Sequence, residues 1–241
     1  VKKLIETSGS TSAVVKSLVD KTIFEEYYIA QDRVVFDKED DSQFTLSEAQ
    51  QAAFDSIQEN FKTFDVNLLH GVTASGKTEI YIKILEQYIK GGKQVLFLLP
   101  EIALTTQLVQ RLTAYFGNEV AVFHSKYTNN ERIEVWNQVL ENSPKAKVVI
   151  GVRSALFLPF SNLGCIIVDE EHEQTFKQND PAPRYHARDA AIVLAKQHGA
   201  KVVLGSATPS LETYYNVQTN KYGLTEVKVR YGNVVLPEIQ L

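Results

Sequence analysis

The 241 residues include one cysteine, no methionine and one tryptophan. A single thiol excludes a disulfide framework and a zinc site of paired cysteines within this sequence. Cys165 sits in the apolar run Cys165-Ile166-Ile167-Val168, which predicts a small buried hydrophobe in a strand. The scarcity of cysteine fits a reducing cytoplasm. No apolar run approaches the roughly 18 residues needed to span a bilayer, and no signal peptide is visible at the start. A start at Val1 in mid-pattern, with no methionine anywhere, predicts a piece of a longer protein. An excess of positive charge is also lacking: 25 Lys and Arg stand against 29 Asp and Glu, a net −4. That excludes nucleic-acid binding by bulk electrostatics alone. Any such contact must come from a local patch or from parts outside this chain. There are no internal repeats and no low-complexity tract.

What is present suffices for one good-sized core and a small appendage, since 44% of the residues are hydrophobic. Residues 10–21 predict a short helix carrying Val14, Val15, Leu18 and Val19, followed by an extended aromatic stretch over 23–29. Helix then strand ribbon is how a winged-helix domain ends; a linker or an edge strand is the other reading. The acidic segment with Asp37, Glu39, Asp40 and Asp41 marks a boundary. The expected division is therefore a winged-helix remnant with linker over 1–40 and a main domain over 41–241.

Beyond the boundary, strand and helix patterns alternate. Helices are predicted over 47–61, 77–90, 104–116 and 130–140. Short β-branched strands are predicted over 66–70, 94–99, 120–124, 148–152, 165–168 and 202–204. Strands of this kind alternating with helices of 10 to 15 residues predict an α/β domain with a mostly parallel, doubly wound sheet.

Three motifs carry chemistry. Gly71-Val72-Thr73-Ala74-Ser75-Gly76-Lys77-Thr78 matches G-x-x-x-x-G-K-[ST] between a predicted strand and a predicted helix. Backbone N–H groups of such a loop and of the helix N-terminus converge on phosphates. Lys77 is expected at the β/γ-phosphates and the Thr78 hydroxyl on Mg²⁺, with Gly71, Thr73, Ser75 and Gly76 as further nucleotide contacts. Next, the strand Ile166-Ile167-Val168 ends in Asp169-Glu170-Glu171-His172, about 90 residues after the loop. Asp169 is placed to hold Mg²⁺ and Glu170 to deprotonate the attacking water, while His172 is a candidate reporter of the γ-phosphate or of nucleic acid. Finally, Gly205-Ser206-Ala207-Thr208 puts two hydroxyls, Ser206 and Thr208, where open α/β sheets bind ligands. Gln50 is a candidate for the adenine edge, since an amide both donates and accepts; an exposed helix glutamine is the alternative.

These motifs in this order resemble superfamily 2 helicases, whose motor lobe is RecA-like. Three further stretches narrow the likeness: Leu98 to Gln107, Gly151 to Phe160, and above all Phe176-Lys177-Gln178-Asn179-Asp180-Pro181-Ala182-Pro183-Arg184-Tyr185-His186-Ala187-Arg188-Asp189. The last resembles the aromatic-rich loop of the PriA-type primosomal replication-restart helicases (primosomal protein N′), as Ala207-Thr208-Pro209-Ser210-Leu211-Glu212 resembles the segment that follows in that family. The likeness covers roughly residues 46–241. Taken alone, the loop offers flat faces in Phe176, Tyr185 and His186 on which bases stack, at about 1–3 kcal/mol per base. Lys177, Arg184 and Arg188 are candidates to neutralise phosphates; an ordinary surface loop ahead of a helix is the competing description. Ala74 departs from the glycine frequent in the family, and residues 179–182 also differ.

The resemblance implies the ATP-binding lobe of a 3′-to-5′ DNA helicase that uses ATP and Mg²⁺ at stalled forks in the bacterial cytoplasm. It implies forked and single-stranded DNA, single-stranded-DNA-binding protein and primosome proteins as partners. The family's cysteine-rich zinc module, second motor lobe and N-terminal DNA-end-binding domain lie outside this sequence, so zinc is expected only there. An isolated lobe is expected to bind ATP but hydrolyse it weakly. Other readings are a different superfamily 2 motor, such as an RNA helicase or restriction-type translocase, or a non-catalytic docking lobe. A P-loop kinase is disfavoured by the lack of an acceptor site.

Overall fold

Seven short strands, most of them β-branched, assemble into one parallel sheet in the computed structural model, which describes residues 7, 9–21, 23–24, 45–100, 107–124 and 127–229. The chain divides into two compact units, 1–34 and 35–241. In the first, helix α1 (Ser12–Asp20) falls within the predicted helix. Most of the extended stretch expected over 23–29, and the acidic boundary, lie outside the described residues.

The second unit opens with α2 (Glu48–Asn60). Ser47 caps it through the Gln50 amide N–H while the Gln50 side chain returns to the Ser47 N–H, a reciprocal pair that satisfies two otherwise orphaned donors. Strand β1 (Val66–Gly71), helix α3 (Lys77–Lys90), β2 (Gln94–Leu98), α4 (Gln107–Phe116), β3 (Val120–Phe123), α5 (Asn129–Leu140), β4 (Val148–Gly151) and β5 (Leu163–Asp169) follow. A two-stranded hairpin of β6 (Lys177–Gln178) and β7 (Tyr185–His186) leads into α6 (Ala187–His198), β8 (Lys201–Ser206), α7 (Leu211–Gln218) and β9 (Gly223–Val227). The expected strands all form. The set predicted from sequence omits β9, an edge strand beyond β1 in which buried and partly exposed residues alternate; edge strands carry a weaker apolar signal than fully buried ones.

The sheet order is β3-β4-β2-β5-β8-β1-β9, with every pair parallel. Alternate side chains of each strand enter opposite layers, as the period of two requires. Leu68, Leu96, Leu98, Ile166, Val168, Val202 and Leu204 pack with α5 and α6 through Val135, Val139, Ala187, Ala191 and Ala195. Leu69, Val95, Phe97, Cys165, Ile167 and Val203 pack with α2, α3 and α4 through Ala53, Ile57, Ile80, Tyr81, Ile84 and Leu112. Cys165 is a free, fully buried thiol. Burying both faces of the sheet makes most of the strands apolar runs and gathers the motif residues at the strand ends, while Asn67 of β1 and Thr225 of β9 form a buried polar pair. No helix among the described residues is long and apolar enough to cross a membrane.

Candidate nucleotide and coupling site

Strand register gathers the motifs at one edge. Asp169, the last residue of β5, lies opposite Gly205 of β8, and Ser206 lies opposite His70 of β1, one residue before the glycine-rich loop. The carboxyl ends of β1, β5 and β8 thus stand side by side, where open parallel sheets bind ligands.

The loop is braced from within. Ser75 N–H donates to the Val72 carbonyl (3.0 Å), and Lys77 Nζ is held at the Gly71 carbonyl (3.0 Å). Gly76 has φ +77°, and a Cβ there would stand 2.1 Å from Gln50 Nε2. The left-handed conformation is what requires glycine there; the close approach is to a side-chain end. Ala74 also has positive φ (+61°), in an exposed position. Thr73 is exposed beside it, and Thr78 is half-buried in the first turn of α3. The Ser75 hydroxyl is buried and has no hydrogen-bond partner among the described residues. An orphaned hydroxyl, a lysine parked on a loop carbonyl and a glycine-lined turn at a helix N-terminus fit a bound phosphate.

Gln50 departs from expectation. It is buried, its Oε1 accepts from Ser47 N–H (2.8 Å), and its Nε2 donates to the Gly76 carbonyl (3.3 Å). The amide braces the loop from behind and does not present an open edge to adenine.

Asp169 accepts a 2.8 Å hydrogen bond from the hydroxyl of Tyr81, one turn into α3 beyond Lys77. Burial pushes the Asp169 carboxyl up to about 6; Tyr81 and Lys77 oppose that rise and the neighbouring Glu170 adds to it. The same burial, with Asp169 beside it, holds the Tyr81 phenol protonated well above its usual range. One ionisable carboxylate at the end of β5, with the Thr78 hydroxyl in the first turn of α3, suits a magnesium ion, which keeps waters and phosphate oxygens as its other ligands. Among the described residues no group of three or more His, Cys, Asp and Glu forms a protein cage for a metal.

Glu170 has φ +49°, a left-handed conformation that costs a non-glycine residue about 1–2 kcal/mol. Its carboxylate lies 3.7 Å from His172 Nδ1. His172 bridges to β8: Nδ1 is 2.8 Å from Ser206 Oγ and Nε2 is 3.4 Å from Thr208 Oγ1, while Thr208 N–H donates to Ser206 Oγ (2.9 Å). The acidic motif and the Ser-Ala-Thr turn are one hydrogen-bonded unit.

The aromatic loop is a hairpin, and it sorts its residues differently from the sequence expectation. Lys177 and Arg184 are exposed, and Tyr185 and His186 are partly buried. Phe176 is 1% exposed and belongs to the hydrophobic core, so it offers no face to a base. Arg188 is buried as well: it pairs with Glu171 (3.0 Å) and Asp189 (2.8 Å), so its charge is matched internally and not by a phosphate. Arg153 ties the hairpin down by donating to the carbonyls of Thr175 (3.2 Å) and Lys177 (3.3 Å), and Phe157 packs edge-on against Tyr185 (5.2 Å). The motif stretch from Glu101 to Thr106 lies outside the described residues.

Tyr81, Glu171, Ser210 and Thr213 are residues that sequence reading passed over. Tyr81 had a signal, since i and i+4 share a helix face and Lys77 is already assigned.

A glycine-rich loop, a carboxylate pair and a hydroxyl turn joined at one sheet edge define the RecA-like nucleotide-binding lobe of a superfamily 2 motor. The chain belongs to the DEAD/DEAH box helicase family, whose sequence profile matches residues 47–217. Such a domain uses a nucleotide with a divalent metal ion. The chain is similar to the replication restart protein PriA of Bacillus subtilis (42% identical over 247 residues, 99% of this chain and 30% of the relative). It is similar also to that of Haemophilus influenzae (50% identical over 193 residues, 80% and 26%). The chain therefore spans less than a third of the length of these relatives. Among solved structures it shares its fold with RecG bound to a three-way DNA junction (TM-score 0.55, 22% identity, 77% of this chain and 24% of that one). It shares it also with the Mycobacterium smegmatis helicase Lhr bound to single-stranded DNA and AMP-PNP (TM-score 0.53, 21% identity, 75% and 25%).

Proposed function

We propose that this chain is the ATP-binding motor lobe of a 3′-to-5′ DNA helicase that acts at stalled replication forks to restart replication. The observation that carries the reading is His172, hydrogen-bonded to Ser206 and Thr208 and 3.7 Å from the Glu170 carboxylate, because a motor must connect hydrolysis to a second site. The likeness to replication restart proteins supplies the fork.

In this account Gly71, Thr73, Ser75, Gly76, Lys77 and Thr78 hold the ATP phosphates, and Thr78 with Asp169 holds Mg²⁺. The ion withdraws charge from the phosphate oxygens when bound. Lys77 leaves the Gly71 carbonyl for the phosphates. Glu170, held in its turned conformation, orients and deprotonates the attacking water. His172, Ser206 and Thr208 relay the state of the site. Lys177, Arg184, Tyr185 and His186 form the contact surface for single-stranded and forked DNA. Residues 1–40 are the end of a winged-helix domain with its linker. In the complete protein, working in the bacterial cytoplasm, single-stranded-DNA-binding protein and primosome proteins are the partners, and the lobe alone hydrolyses ATP weakly.

Unwinding of forks carrying a free 3′ or a free 5′ single strand tests the direction. Unwinding by the complete protein only along the 3′-to-5′ track supports the reading, and the opposite polarity overturns it. Titration with Mg·ATP separates a motor lobe from a docking lobe, which has no need to bind it.

A further inference from the structure

Glu171, the second glutamate of the acidic motif, is fully buried, and its carboxylate accepts four hydrogen bonds. The donors are Arg188 Nη1 (3.0 Å), Ser210 N–H (2.7 Å), Ser210 Oγ (3.0 Å) and Thr213 Oγ1 (3.0 Å). Arg188 is equally committed, donating also to Asp189 Oδ1 (2.8 Å) and Ser210 Oγ (2.6 Å). These residues come from three separate places: the end of the acidic motif, the start of α6 directly after the hairpin, and the N-cap and first turn of α7 after the Ser-Ala-Thr turn.

A buried ion pair is a poor way to add stability. Desolvation of both charges offsets most of their attraction, and apolar residues of similar volume hold a fold as well or better. What such a pair does supply is a defined geometry, because a guanidinium fork and a carboxylate meet in few orientations. Here the geometry is set next to a strained residue. Glu170 has φ +49°, and a strained backbone persists only where its surroundings over-determine it. Glu171 provides that constraint on one side, through its buried carboxylate and through its N–H, which donates to the Gly205 carbonyl (3.0 Å). Glu173 N–H donates to the Glu170 carbonyl (2.9 Å) on the other.

We propose that Glu171 and Arg188 are positioning residues that transmit the state of the hairpin to Glu170. Arg153 and Phe157 hold the base of the hairpin, where Lys177 pairs with His186, and that base runs directly into α6, which puts Arg188 two residues beyond His186. A shift of the hairpin carries the first turn of α6 with it. Arg188 then moves the Glu171 carboxylate, and the adjoining Glu170 changes its orientation toward the attacking water. Neither residue touches nucleotide or DNA. Arg188 acts on coupling through Glu171 and not through a phosphate. The proposal rests on the reading of the lobe as a DNA-dependent motor.

The test uses the complete protein and its Glu171→Gln, Arg188→Met and Arg188→Lys variants. ATP hydrolysis is measured against ATP concentration and against single-stranded DNA concentration, with melting temperature as a check on folding. Glu171→Gln and Arg188→Met are expected to lower the DNA-stimulated kcat about tenfold, within the range of allosteric coupling. KM for ATP and the DNA concentration for half-maximal stimulation are expected to stay within about twofold, as losses confined to the turnover step do. Arg188→Lys keeps the charge and one contact to Glu171, so it is expected to fold and to recover part of the loss. An unchanged kcat, or a kcat that falls only together with both half-saturation values, overturns the proposal. Failure of Arg188→Lys to recover any of the loss overturns it too. Wild-type protein that DNA does not stimulate overturns the motor reading and the tie together; stimulated wild-type protein matched by its variants overturns the tie alone.

Discussion

The hydroxyl of Tyr81 reaches from helix α3 to Asp169 at the end of β5, donating a 2.8 Å hydrogen bond to Oδ1. This contact joins the helix that follows the phosphate loop to the proposed metal carboxylate, in the buried wall between the two motifs. Tyr81 is fully buried and packs edge-on against Phe97 (5.4 Å), so its position is fixed by the core and not by the ligand.

Tyr81→Phe removes the hydroxyl and keeps the ring. Hydrogen bonds to a charged acceptor contribute about 1.5–3 kcal/mol, and this one holds the Asp169 carboxyl down against the rise caused by burial. Its loss raises the carboxyl further, so that more of it is protonated at pH 7 and less is available to Mg²⁺. The Mg²⁺ concentration for half-maximal hydrolysis is expected to rise about tenfold at pH 7 and much less at pH 9, where the carboxyl is ionised in both proteins. A magnesium titration at the two pH values checks this.

Gly205→Ala places a Cβ 1.7 Å from the Tyr81 hydroxyl and 3.2 Å from Asp169 Oδ1. Overpacking of this kind costs about 1–3 kcal/mol or more. The variant is expected to melt at a lower temperature and to lose Mg²⁺ affinity. Combined with Tyr81→Phe, which removes the clashing oxygen, the stability loss is expected to be smaller than the sum of the single losses. Thermal unfolding of the four proteins tests the contact.

Asp169→Asn tests the burial of the carboxyl itself. Its folded-state value, about 6, lies above the unfolded one, so the charged form costs stability. That cost is complete above about pH 6 and disappears as pH falls below about 4. Allowing for partial solvent access, Asp169→Asn is expected to stabilise the nucleotide-free protein by on the order of 1–2 kcal/mol at pH 7. No gain is expected at pH 4. An equal effect at both pH values would refute the assignment of the shift to burial.

Ala74→Gly relieves the positive φ of the phosphate loop, where an L residue carries a cost of about 1 kcal/mol. Part of that gain is offset by the freer unfolded chain. A small rise in melting temperature with unchanged nucleotide affinity is expected, and a fall contradicts the loop conformation described.

The parts legible in the sequence were those whose signal is local. The glycine-rich loop, the acidic strand end and the alternation of helix and strand each declare themselves within about 15 residues. Burial decided the remainder. Phe176 reads as a loop aromatic by its neighbours, yet it closes the core beside α6. Gln50 sits where an adenine contact is expected, but its capping box and the Gly76 carbonyl turn it inward. Arg188 did carry a signal: with Ala191 and Ala195 it falls on the buried face of α6, at the i, i+3, i+7 spacing of a core stripe. Charge was read there before periodicity. Glu171 had none, because three adjacent acidic residues look alike until the turn after β5 sends one of them inward.

ATP hydrolysis by the complete protein, with branched DNA, single-stranded DNA, RNA or no nucleic acid, in wild type and Lys77→Ala, tests the central claim most directly. The account predicts the strongest stimulation by branched DNA and its abolition by Lys77→Ala. Stimulation by RNA alone, indifference to nucleic acid, or hydrolysis that survives Lys77→Ala would contradict it.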